Sequence, residues 1–149
     1  MQKPGKAPKS GRMPGEGKAV KPVPLYHADS WKEYELICFR DEVAEIFREI
    51  PYIGRIARQI TTCTFSTSEA DRCRCDGQAA VDKHRIAICE DIITGQNRRY
   101  WKMVYLHELA HVITGGGHTA AFHKLLDAMI SIYNEETGEN LQNDYQGIK

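Results

Sequence analysis

Three stretches of the chain repeat their apolar residues at the spacing of a helix, and three shorter ones carry the pattern of strands. Leu36, Phe39, Val43, Phe47 and Ile50 recur every three or four residues and define one helix face. Ser30-Trp31-Lys32-Glu33 opens that helix as a capping box, with serine at the N-cap and glutamate three residues on. Pro51 closes it. Residues 60–65 are rich in β-branched side chains and predict a strand. Residues 66–71 are polar and turn-like. A shorter strand is expected over 72–80, interrupted around Asp76-Gly77, and Asp82-Lys83-His84 makes a turn. A third strand covers 85–89, with Ile86 and Ile88 on one face. After a break at 94–97, a second helix is expected over 97–113, its apolar face being Leu106, Leu109, Ala110 and Ile113. Gly115 suits its C-cap and Thr119 the N-cap of a third helix, whose face is Phe122, Leu125, Leu126, Met129 and Tyr133. Thr137-Gly138 ends it, and residues 139–149 are polar and expected to fray.

The fold class that follows is α+β: a small three-stranded, mostly antiparallel sheet packed on an N-terminal helix, a central helix and a C-terminal helix. Composition adds a boundary. Residues 1–25 hold five of the six prolines and four of the twelve glycines, with almost no large apolar side chains. Such a segment cannot offset its ordering entropy by burial, so 1–25 is expected to be a disordered tail and 26–149 the folded domain. The tail carries six basic residues against Glu16, a net +5, which leaves −5 for the remainder of a chain that is neutral overall. That charge suits a weak contact with nucleic acid, although no aromatic residues interleave to stack bases. No apolar run is long enough for a membrane span, and the N-terminus has no apolar core of a secretory signal. Five cysteines, 38, 63, 73, 75 and 89, form an odd set without repeated spacing, which points to reduced thiols and an intracellular, cytoplasmic setting. The chain is expected to be a monomer. Without Cys-x2-Cys knuckles they make a poor metal site.

The chemistry lies in the second helix. His107-Glu108-Leu109-Ala110-His111 reads HExxH, and a third histidine, His118, follows after a glycine run. Residues four apart share a helix face, so His107 and His111 can grip one metal ion, and Glu108 sits beside that face as a general base toward metal-bound water. The motif alone arises by chance in roughly one or two chains per hundred of this length and histidine content. The glycine turn and the third histidine make the case for Zn²⁺ held by His107, His111 and His118, with a fourth position left open for chemistry. His123, one helical turn further on, is an alternative third ligand or a transition-state donor, and more simply a helix-surface residue. Tyr133 is expected in the core, with an oxyanion role as its sharper reading. His27 and His84 are expected in solvent.

This order of elements resembles the compact zincin metallopeptidases, and most of all the SprT-like family. The specific likeness lies in 107–122, where His118-Thr119-Ala120-Ala121-Phe122 matches that family's histidine-glycine-x-x-phenylalanine pattern with Thr119 in place of the glycine. The resemblance implies a zinc-dependent peptidase acting on protein or peptide, in which the strand at 85–89 borders the cleft and pairs with an extended substrate. It also implies substrates associated with nucleic acid. The metzincin pattern fails by register, because its third ligand would fall on Gly117. A gluzincin would recruit Glu135 or Glu136, which His118 makes unnecessary. Two other classes remain: a metal-dependent endoribonuclease of three-histidine type, whose motif has no glutamate after the first histidine, and a binding module that zinc merely staples.

Overall fold

A computed structural model describes residues 31–66, 68 and 75–143. The expected tail over 1–25, the cap at Ser30, His27, Cys73 and much of the 66–74 segment lie outside those residues. The chain divides into two units, Met1–Trp31 and Lys32–Lys149. Apart from Trp31, every described residue belongs to the second. In order, the elements are α1 (Trp31–Ile46), α2 (Ile53–Arg58), β1 (Thr61–Phe65), β2 (Gly77–Ala80), β3 (Arg85–Cys89), α3 (Arg98–Thr114) and α4 (Ala120–Thr137), with 3-10 turns at Val81–Lys83 and Glu90–Ile92 flanking β3.

The class is α+β, with four helices and one three-stranded sheet among the elements of the described residues. The sheet is evenly mixed, where a mostly antiparallel one was expected. β3 lies in the middle, parallel to β1 with Thr61 opposite Arg85, and antiparallel to β2 with Gly77 opposite Ile88. β1 and β2 do not pair with each other; β3 fills the slot between them and so runs parallel to one and antiparallel to the other. Ile86 and Ile88 on the central strand are fully buried, whereas β1 is half-exposed along most of its length.

The first helix stops at Ile46, before the Pro51 that was expected to end it. Phe47 still reaches the core through the turn that follows, its N–H donating to the Val43 carbonyl at 3.0 Å. Beyond Pro51 the short helix α2 forms, an element that the apolar spacing did not announce. It is only six residues long, too short to show a period. The end of the domain also differs from expectation. Leu141 is buried, and the Asn134 side chain brackets its backbone, accepting from its N–H at 2.8 Å and donating to its carbonyl at 3.0 Å. Residues 139–143 are therefore tied down on α4.

The core forms around α3. All twelve residues 101–112 are buried, so this helix is covered on every side. α4 and α2 pack against it, as do β2 and β3. Phe39 of α1 meets Trp101, Tyr105 and Tyr133 edge-on, with ring centroids 5.2 to 5.6 Å apart. Such aromatic pairs add to the stabilisation from burial alone. Lys102, a buried cation, is paired with Glu139 at 3.2 Å and donates to the Tyr133 hydroxyl at 3.3 Å. Among the described residues no helix is long and apolar enough to cross a membrane.

Candidate metal centre

A helix buried all round is an expensive place for polar side chains. Three lie together on α3, since His107, Glu108 and His111 are each no more than 6% exposed. His107 and His111 are one helical turn apart, and their rings sit 4.9 Å apart, edge to face.

The chain then turns back. The Gly115 and Gly116 N–H groups both donate to the His111 carbonyl, at 2.8 and 3.1 Å. Gly115, Gly116 and Gly117 all have positive φ, at 94°, 96° and 77°. Three such residues in succession make a reversal that only glycine takes without strain. The reversal returns His118 to the helix it has just left, with its Nε2 3.2 Å from His111 Nε2. Thr119 then caps α4 by accepting from the Phe122 N–H at 3.1 Å, as the sequence suggested.

His107, His111 and His118 thus offer three ligand nitrogens within 4.8 Å of one another. Two imidazole nitrogens on one tetrahedral zinc ion stand about 3.3 Å apart. The His111–His118 spacing already has that value, and the remaining separations close by small side-chain rotations. The donor set of three imidazoles fits Zn²⁺ and leaves a position open. Burial, and after it the neighbouring imidazoles, hold His107 down at about 3 and His111 at about 4. Neutral imidazole is the form that binds a metal.

Phe122, which the sequence placed on the apolar face of the third helix and in the family's pattern, has a further physical task. It is fully buried and stacks on His111, with ring centroids 4.3 Å apart and planes at 20°. It meets His107 and His118 edge-on at 4.9 and 5.1 Å. One ring thus fixes the orientation of all three imidazoles.

Glu108 faces a cleft of about 380 Å³, whose other lining includes Gly77, Gln78, Ala79 and Val81 on one side and His111, Gly116 and Gly117 on the other. Burial alone pushes its carboxyl up to about 8. A larger hollow of about 550 Å³ lies at the opposite end of α3, around Asn97 and Arg99, and contains none of the histidines. Glu108 and His111 line the smaller cleft.

The other candidates do not join the group. His123 is exposed and its ring is 6.3 Å from that of His118. The Tyr133 hydroxyl is engaged by Lys102, Glu42 and Glu139, which makes it a core residue. His84 ends a 3-10 turn, half-buried. Glu135 and Glu136 are exposed near the end of α4. Among the described residues the three histidines are the single metal-competent group, and no cysteine belongs to it. Cys38, Cys63 and Cys89 are thiols, but Cys75 is disulfide-bonded, against the expectation of reduced cysteines throughout. The strand expected to border the cleft is also corrected. β3 is flanked on both sides, so the cleft is bordered by β2, at the edge of the sheet. Its nearest residue to the acid, Gly77, passed in the sequence for part of a strand interruption.

No protein-family model, curated protein or solved structure matches the chain.

Proposed function

We propose that the chain is a zinc-dependent metallopeptidase of the zincin type, with a motif most like that of the SprT-like family. The observation that carries the reading is that a buried acid shares a cleft with one member of a converging histidine group. Three histidine nitrogens lie within 4.8 Å of one another, and Glu108, the one acid among the cleft's lining residues, lines it together with His111. His107, His111 and His118 would hold the zinc ion. The ion would supply Lewis acidity toward the scissile carbonyl and toward the attacking water. Glu108 removes a proton from that water and returns it to the amide nitrogen that leaves. Its burial keeps bulk water from competing for the proton. An extended peptide would lie along β2, taking the place that the sequence had assigned to β3.

The exposed position of His123 favours catalysis over a structural staple, because a closed site would need a fourth protein ligand. Glu108 beside the first histidine favours peptide hydrolysis over the endoribonuclease alternative. A nucleic-acid contact through residues 1–25 stays part of the proposal as a source of substrate proximity. The test is hydrolysis of casein by zinc-loaded protein, wild type against Glu108→Gln. The expected result is cleavage that Glu108→Gln loses while its zinc content is unchanged. Cleavage retained in Glu108→Gln, or RNA cleaved where casein is not, refutes the reading.

A further inference from the structure

The packing of β2 against α3 puts a backbone where a side chain would normally stand. Gly77 is buried and opens β2. A Cβ placed on it would lie 2.7 Å from Val104 Cγ1 and 3.1 Å from both Cγ and Oε2 of Glu108. Its φ is not positive, so its backbone would admit any residue. What excludes a side chain is the space, which Val104 and Glu108 already fill.

We propose that Gly77 is a positioning residue for the reaction, the missing Cβ leaving the seat in which the Glu108 carboxylate is held facing the cleft. This inference rests on the peptidase reading, since it assigns Glu108 the proton transfer. The seat has two walls with separable duties. Val104 sits one helical turn before Glu108 on α3 and supplies packing. The Glu108 side chain supplies chemistry. A methyl group at position 77 presses on both, and the tighter contact is with Val104. The strand cannot retreat to relieve it, because Gly77 is in register with Ile88 of the central strand, and the N–H of Cys89 next along donates to the Asp76 carbonyl at 2.9 Å. The Glu108 side chain therefore has to turn or shift by a few tenths of an ångström. Proton transfer requires hydrogen-bond reach, and a misplacement of about 1 Å costs on the order of 100-fold in rate.

The two duties separate in the double variant Gly77→Ala/Val104→Ala. Removing the Val104 methyls opens room on the packing side and leaves the contact with Glu108 in place. We expect this variant to retain zinc and to melt close to Val104→Ala alone. Its kcat should fall roughly 3- to 10-fold below that of Val104→Ala, with KM little changed, a fraction of the loss expected for a full ångström. Its crystal structure should show the Glu108 carboxylate moved from the wild-type position. Gly77→Ala alone, in which Val104 has to rotate aside, is read in the same way and serves if the double variant does not fold. A kcat equal to that of Val104→Ala, or an unmoved carboxylate, overturns the inference. The structural measurement keeps the two proposals apart. A wild type inactive on peptides refutes the peptidase reading, while the carboxylate position still decides whether Gly77 seats Glu108.

Discussion

Burying an acid beside a cleft should leave a measurable debt in the metal-free protein, and the substitution Glu108→Gln reads it. Glu108 is 5% exposed, and burial raises its carboxyl from an ordinary 4.5 to about 8. Between those values the folded state holds a proton that the unfolded state has released. Stability from this group is therefore fully present below pH 4.5 and is lost as pH rises through 8. The rise from 4.5 to about 8 corresponds to an upper bound of roughly 5 kcal/mol by pH 9. Relaxation and water entering the cleft reduce that to a few kcal/mol. Glutamine has nearly the same shape and does not titrate. In chelator, Glu108→Gln should accordingly melt about 10 °C above wild type at pH 9, given a few degrees per kcal/mol for a domain of this size.

The comparison that matters is the change in that gap with pH. His107 and His111 titrate in both proteins and cancel, as does any constant cost of the glutamine amide. Melting temperatures at pH 5 and pH 9 for the two proteins complete the measurement. The gap should shrink to a degree or two at pH 5, because most of the stability loss accumulates between pH 5 and pH 8. A gap equal at both pH values would mean that the carboxyl has no unusual ionisation, and that the cleft wall is wetter than its burial implies.

Three further predictions follow from named contacts. His118→Ala should cut zinc affinity at least ~100-fold by competition with a chromophoric chelator, and unchanged affinity would transfer the third position to His123. Phe122→Ala removes a fully buried ring that touches all three imidazoles. It should cost about 3–5 kcal/mol in urea unfolding and weaken zinc binding as well, whereas a stability loss with unchanged zinc affinity would show that the ring only fills space. The Tyr105 hydroxyl is buried with no hydrogen-bond partner among the described residues. Tyr105→Phe should therefore be neutral or stabilising by about 1 kcal/mol, and a loss of more than that by the same assay would reveal a partner.

How much of this was legible depended on whether the information was local. The bounds of β3 and the buried face of α4 followed from apolar spacing, because burial on one face writes a period into the sequence, whereas the burial of α3 on every side exceeds the single face its spacing announced. Thr119 as a cap and Gly115 as a stop were legible for the same reason, each acting on its own backbone neighbours. Strand order was not. Alternation tells which residues face the core but not which strand lies between the others. The burial of Lys102 was equally hidden, since it depends on Glu139 from a distant part of the chain. Gly77 had left a signal. A glycine inside a strand pattern marks a close backbone approach as readily as a break, and here it marked the approach to Glu108.

The centre also sets its own polar groups against one another. His107 and His111 have their pKa values lowered, to about 3 and about 4, so their contribution is present above pH 6.5 and is lost as pH falls through those values. Glu108 works in the opposite direction, favouring the fold below pH 4.5 and opposing it by pH 8. Without a ligand, no pH gives the full contribution of both sets, since one needs a pH above 6.5 and the other a pH below 4.5. Moving toward acid charges imidazoles that burial disfavours, and moving toward base charges a carboxylate that burial disfavours equally. A divalent cation held by the three nitrogens would resolve the conflict at neutral pH, since it uses the histidines in their neutral form and places positive charge beside the ionised acid. The rest of the fold supplies the margin that tolerates the conflict. The Phe39 ring cluster and the fully covered α3 bury apolar surface on either side of the motif, and Phe122 packs directly onto it. A site that is costly when empty, and relieved by the ligand its geometry fits, is under physical tension that surface histidines at the same spacing would not experience. This tension separates the arrangement from an incidental HExxH on an exposed helix.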